Sequence, residues 1–168
     1  MRNGSTRWFP SDAWVRFLLA PMLVFLALLA DRNLLADFWH HLARGQVILE
    51  QGQLLNHDIF TYTVAGQPFQ DVNWLTQVGY AWLFTRGGLL LVQFVNALLV
   101  AAAIGWIVVL AWRRSGSLGV AAATGVVVFF GLWQVLTIRP QTLSMLLFVV
   151  LLDVLERAER NPRWLIVP

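Results

Sequence analysis

The chain has no cysteine and no lysine, only two tyrosines, and few charges of either sign, with Asp, Glu and Arg making up 12% of its 168 residues. Without cysteine, disulfides and thiolate metal sites are excluded. Without lysine, the net charge of +3 comes from twelve arginines. These are scattered between apolar segments rather than gathered on one polar face, which excludes the footprint of a nucleic-acid binder. No repeat of 20–50 residues is evident, so a solenoid is excluded too. What fills the chain instead is apolar: 58% hydrophobic residues, nine tryptophans and a mean hydropathy of +0.65. That composition reads as a membrane protein.

Four apolar runs are candidate spans, namely residues 14–30, 88–112, 118–138 and 142–155. The second has no charge along its length, and the fourth carries Asp153 near its far end. A fifth apolar run begins at Trp164, so the chain reads as truncated before a further span. The first run is short and follows Arg2, Arg7 and Arg16, as a cleavable leader would. A cut after Ala30 would put the large Leu28 at the −3 position, which favours an uncleaved anchor.

Arginine placement sets the orientation. With residues 1–13 cytoplasmic, that side also holds the 113–117 turn and the 156–168 end, and eight of the twelve arginines. Arg32, Arg44, Arg86 and Arg139 fall on the other side. The expected fold is therefore an all-α integral membrane domain of about four transmembrane helices. Residues 31–87 form a structured extracytoplasmic first loop, with two amphipathic helices and a short hairpin.

That loop concentrates the chemistry. Between Asp31 and Asn73 lie all three histidines (His40, His41 and His57) and five of nine acids (Asp31, Asp37, Glu50, Asp58 and Asp71). Asp37 to Glu50 has helical periodicity. Phe38, Leu42, Gly45 and Leu49 share one face, an apolar stripe suited to the membrane surface. Asp37, His40, His41 and Arg44 share another within about 100° of arc. The stretch "IFTYTVAGQPF" alternates around Ala65-Gly66 and predicts the hairpin. "DVNWLTQVGYAWLF" predicts the second helix, with Asp71 or Asn73 as its N-cap, and "TRGG" ends it before the next span. The bland alternative is that the polar arc is merely the wet side of an interfacial helix, with Asp37 a cap and Asp58 a turn former.

"DFWHHLARGQVILEQGQL", "HDIFTYTVAGQPFQDVNWLTQ" and "IRPQTLSMLLF" together resemble the N-terminal part of bacterial membrane proteins of the GT-C glycosyltransferase type. In that group a first span leads into an extracytoplasmic loop of the form D-x-W-W-H-L-x-x-G-x-x-I-L-E-x-G. The likeness covers about Asp37 to Leu83, with "RPQ" at 139–141 in addition. One departure is His40, where the group pattern more often has Trp.

The resemblance implies transfer of a sugar from a polyprenyl-phosphate donor to a glycan, lipid or protein acceptor outside the cytoplasmic (inner) membrane. By position, Asp37 and Asp58 match the acids of that loop, which implies a catalytic base, sometimes beside a divalent metal. The residue chemistry is compatible. Glycosyl transfer needs a base for the acceptor hydroxyl and positive charge beside the departing phosphate. Asp37 suits the first role, with His40, His41 and Arg44 in support. Asp37, His41 and Asp58 are the candidate ligands for Mn or Mg. Arg139, where the third run meets the outer surface, is a candidate for the lipid phosphate; the alternative is an arginine snorkelling to the interface.

Gln93 and Asn96 are spaced for helix–helix hydrogen bonding, and Asp153 with Arg157 for an i, i+4 ion pair. Two rival functions stay open: a non-catalytic membrane scaffold that binds lipid-linked sugar or a protein partner, and a transporter fragment.

Overall fold

The computed structural model describes residues 11–30, 36–132 and 137–160. Arg2, Arg7, Asp31, Arg32, Arg163, the 133–136 portion of the third apolar run and the run from Trp164 lie outside the described residues. Among the described residues, five helices account for the regular structure: α1 (Ser11–Ala30), α2 (Ala36–Gln51), α3 (Trp74–Ser115), α4 (Leu118–Leu132) and α5 (Gln141–Arg160). The expected all-α class holds among the described residues, and no strand forms there.

The longest element organises the rest. α3 packs against each of the other four helices, and α1 also packs against α4. It is a helix in two arms, because Gly87 and Gly88 leave helical geometry inside it. Gly88 sits at φ +62°, a left-handed conformation that costs a side-chain-bearing residue energy but not glycine. The "TRGG" break expected from sequence is therefore a kink between Trp74–Arg86 and the apolar arm beyond it. At 1.5 Å per residue, the arm from Leu89 to Trp112 is about 36 Å long, against a hydrocarbon core of about 30 Å.

Among the described residues, Trp74–Ser115 is the one helix long and apolar enough to cross a membrane. Phe17–Ala30 and Leu118–Leu132 are shorter apolar helices. α5 starts apolar but ends in Asp153, Glu156, Arg157 and Glu159. Of the four expected spans, then, one meets the test of length and apolarity.

Two hydrophobic clusters hold the long arm to its neighbours. Val24 and Leu28 of α1 meet Ala97, Val100 and Ile104 of α3, with Val128, Phe129 and Met145 packed around them. Nearer the other end, Ala20, Val108 and Ala121 bring α1, α3 and α4 together. Small residues permit this closeness: a Cβ on Gly125 would lie 2.7 Å from both Ala20 Cβ and Val108 Cγ2. Polar groups add specific ties. The Gln93 amide donates to the carbonyls of Leu28 (3.1 Å) and Leu29 (3.2 Å), which belong to the last turn of α1.

Between α3 and α4, Gly116 takes the left-handed cap position and its N–H bonds Trp112 O. At the same end of α3, Asp153 of α5 accepts from Trp106 Nε1 (3.0 Å), Arg113 Nη1 (3.1 Å) and both Nε and Nη2 of Arg157. The i, i+4 pair read from sequence is thus part of a wider latch between α3 and α5.

At the opposite end, α2 lies on the first arm of α3. Phe38, Leu42, Tyr80, Ala81 and Val92 form a shared core. Here the structure corrects the sequence reading of the apolar stripe. Phe38, Leu42 and Gly45 face α3 rather than a membrane surface, and of the stripe Leu49 alone is exposed. The physical reason is that the first arm of α3 offers its own apolar face, and joining the two buries both. Gly45 marks the closest approach, since a side chain there would collide with the Gln77 carbonyl and come within 3.1 Å of Ala81 Cβ. Gly45→Ala should therefore push the helices apart and cost about 1–3 kcal/mol. Thermal unfolding of the chain in detergent measures this; a neutral result would mean that α2 does not sit on α3 at Gly45.

Candidate functional site

The chain between α2 and α3 folds back over both helices. Gly52 closes α2 with a left-handed cap, its N–H bonding Ile48 O at 2.9 Å. The expected hairpin is reduced to one antiparallel bridge, His57 to Pro68. Around it, Asp58 N–H bonds Gln67 O, Gly66 N–H bonds Asp58 O, and Phe69 N–H bonds Asn56 O. Pro68 cannot donate to a ladder, and turn-type bonds within Thr61–Gln67 take up the rest. Pairing therefore stops at the bridge.

Asp58 is the pin of this loop. Its Oδ1 accepts the backbone N–H of Phe60 (2.9 Å) and of Thr61 (2.6 Å). Its Oδ2 accepts the Thr61 hydroxyl (3.0 Å) and Arg44 Nη2 (3.2 Å). The Thr61 N–H, more than the arginine, holds the Asp58 carboxyl below the usual carboxylate range. With four donors on two oxygens, Asp58 anchors a turn and has no lone pair set aside for an acceptor proton.

Arg44 occupies the centre. It is only 5% exposed, lies over the Phe69 ring at 4.0 Å and the Phe60 ring at 5.6 Å, and sits 3.9 Å from Asp71 Oδ2. Cation–π contact adds about 0.5–2 kcal/mol to the ion pairs when the guanidinium is desolvated. The polar arc expected to face water is thus split, because the folded loop covers Arg44 while Asp37 and His40 stay exposed. His40 Nε2 accepts a hydrogen bond from Arg44 Nε at 2.7 Å.

His41 is half-buried, and its Nδ1 lies 3.1 Å from Gln77 Nε2. Burial, with His40 alongside, pushes the His41 imidazole below its ordinary value. The same Gln77 nitrogen donates to Asp71 Oδ1 at 3.0 Å. The sequence predicts Asp71 or Asn73 as the cap of the second helix. Asn73 is the N-cap residue but makes no side-chain cap bond, while Asp71 Oδ1 accepts the Asn73 N–H at 3.0 Å in a local turn.

Gln77 was not singled out from sequence. The available signal was its place on one helical face with Tyr80, Ala81 and Phe84, which makes it a polar residue on an apolar stripe. His57 points elsewhere, exposed beside Asn56 Oδ1 at 2.7 Å, and Glu50 is exposed at the end of α2.

The candidate metal ligands Asp37, His41 and Asp58 go to three environments: open surface, the Gln77 contact and the Arg44 turn. Among the described residues, no group of three or more His, Asp or Glu is gathered to hold a metal ion. The guanidinium of Arg44 occupies the space beside Asp58 that a cation would need.

Arg139 arrives from the other side. Its carbonyl accepts the Tyr80 hydroxyl at 2.7 Å and the Thr142 N–H at 3.1 Å, while its Nε is buried with no hydrogen-bond partner. Asn96 Oδ1 is 3.4 Å from the same Tyr80 hydroxyl. The Phe38 ring lies 6.1 Å from that of Tyr80. Tyr80 therefore joins the start of α2, the long arm of α3 and the start of α5.

No family model, curated protein or solved structure matches the chain.

The lowered Asp58 pKa has a definite sign. Loop stability from this group is fully present above the ordinary unfolded value of about 4. It is lost as pH falls through that value and on through the depressed folded one. Amide protection at Phe60 and Thr61 should persist at neutral pH and collapse in that acid window. Asp58→Asn should weaken it at neutral pH and remove its dependence on pH in that window. Hydrogen exchange checks both, and protection unchanged at low pH would remove Asp58 as the pin.

Proposed function

We propose that this chain is a multi-pass membrane bundle of the GT-C glycosyltransferase type, moving a sugar from a polyprenyl-phosphate donor to an extracytoplasmic acceptor. The single observation that carries the reading is the junction at Tyr80. It ties the exposed Asp37 end of α2 to Arg139 through the Phe38–Tyr80 ring contact and the Tyr80–Arg139 hydrogen bond. The first turn of α2, which carries Asp37, and the backbone of Arg139 are thereby joined at one end of an apolar bundle, where in this reading a lipid phosphate meets a water-borne acceptor.

The outer surface of the bundle supports a lipid setting. Large apolar side chains are exposed on every bundle helix: Leu18, Met22 and Leu26 of α1, Leu90 and Phe94 of α3, Val127 and Phe130 of α4, and Phe148 and Leu151 of α5. A water-soluble monomer rarely exposes so many large apolar side chains along its helices. In this reading the runs 14–30, 88–112, 118–138 and 142–155 all cross the inner membrane of a bacterium. The Arg113, Arg114 and Arg157 end is cytoplasmic, and the Arg44 platform is outside.

The chemistry follows from the side chains. Asp37 takes the proton of the acceptor hydroxyl as that oxygen bonds to the anomeric carbon. The bond from that carbon to the carrier's phosphate oxygen breaks, and Arg139 balances the charge left on the phosphate. Asp58 and Arg44 keep the platform rigid without touching the reacting atoms.

A second reading is favoured by the closure of the Arg44 network, which commits Asp58 and Asp71 to structure. In it the platform is a non-catalytic scaffold that binds lipid-linked sugar.

Sugar transfer from a radiolabelled polyprenyl-phosphate pool, in membranes of cells expressing the gene, separates the two. Asp37→Asn should lower transfer by about 10²–10⁴-fold at matched protein level. Arg139→Ala should raise KM for the lipid donor more than it lowers kcat. Transfer that survives Asp37→Asn sinks the catalytic assignment and leaves the scaffold.

A further inference from the structure

Two groups that can only donate hydrogen bonds end on the rings of adjacent histidines. An arginine Nε–H and an amide NH2 carry no acceptor lone pair, so a ring nitrogen bonded to either must be bare of its proton. Arg44 Nε faces His40 Nε2 at 2.7 Å. Gln77 Nε2 faces His41 Nδ1 at 3.1 Å. The neutral ring then keeps its proton on the remaining nitrogen, which is Nδ1 in His40 and Nε2 in His41.

The direction of the Gln77 amide decides the second case, and Asp71 fixes it. The same Nε2 lies 3.0 Å from Asp71 Oδ1, and a carboxylate accepts only. Turning the amide over would set its carbonyl against that carboxylate and lose the bond. Gln77 is 1% exposed, and the side chain of Asp71 is 3% exposed, so water cannot easily stand in for either partner. The Arg44 side chain, 6% exposed and stacked on Phe69, is equally immobilised.

We propose that Arg44 and the Asp71–Gln77 pair are positioning residues that lock His40 and His41 as opposite neutral tautomers. His41 thereby meets the ligand as an Nε2–H hydrogen-bond donor to oxygen and not as a proton acceptor. The ligand's identity rests on the glycosyltransferase reading above; the tautomers do not. The consequence for mechanism is a division of labour, with Asp37 left as the proton acceptor at the exposed end of α2. His41 would then steady a phosphate or hydroxyl oxygen.

The test is nitrogen-15 NMR of the full chain in detergent, histidine-labelled and assigned with single-histidine substitutions. Measured near pH 8, above the ordinary imidazole value of about 6.5, it distinguishes bare from protonated ring nitrogens directly. The expected result is His40 protonated on Nδ1 and His41 on Nε2. Gln77→Glu replaces the donor by an acceptor and should invert His41 to Nδ1–H while leaving His40 unchanged. Gln77→Met removes the amide at similar length and should give a mixture at His41. A His41 proton on Nδ1 in the unsubstituted chain overturns the proposal, as does a tautomer indifferent to both substitutions. Sugar transfer that is absent while the tautomers are as stated sinks the glycosyltransferase reading alone.

Discussion

A guanidinium that has left water must be surrounded, and the platform end of this protein is arranged around that requirement. Arg44 comes from the middle of α2, yet all but one of the partners named here lie outside that helix: Asp58 and Phe60 in the loop, Phe69 and Asp71 on the approach to α3, with His40 alone from α2 itself. Removing one partner of a buried charge leaves the other uncompensated, which is far more costly than the pair is favourable. The network therefore specifies one loop conformation more than it adds net stability. It also converts a stretch of few strand pairings into an ordered lid over two helices.

The network can form because α2 and α3 approach so closely. Gly45 sits where any side chain would strike the Gln77 carbonyl, and that contact sets Gln77 between His41 and Asp71. Immediately beyond this arm, the Gly87–Gly88 kink redirects α3 into its apolar length. A single continuous chain segment thus carries a polar relay at one end and an apolar surface at the other, with Tyr80 bonded to the start of α5 between them. The buried polar contacts of the platform and the exposed apolar side chains of the bundle thus share one helix.

The four chemically capable groups of α2 consequently do different things. Arg44 is structural, His40 and His41 are held by donors on fixed partners, and Asp37 stays open at the first turn, where a carboxylate also suits the helix dipole. Asp58 is held as a turn anchor by donors that outnumber what a free base could tolerate. At the far end, Asp153 shows the same logic, with a buried carboxylate shared among Trp106, Arg113 and Arg157.

What could be read from the sequence alone was whatever depends on local periodicity and composition. The helices at Asp37–Glu50 and from Trp74, the glycine break and the Asp153–Arg157 spacing all express contacts within a turn or the cost of burying charge, while Gln93 in an apolar run signalled that it needs a partner on another helix but not which one. The hairpin shrinks to one bridge, because alternation over "IFTYTVAGQPF" signals extension but says nothing about whether Pro68 leaves a ladder to extend. The apolar stripe of α2 was legible, but its partner was not: Phe38, Leu42 and Gly45 look alike whether they meet lipid or another helix. Likewise the polar arc was visible as an arc, yet only tertiary structure turned Arg44 inward, since the groups that cover it lie 14 or more residues away. Gln77 and Asp71 became a relay for the same reason. A hydrogen bond between helices depends on where two backbones meet, and no spacing along one chain encodes that distance.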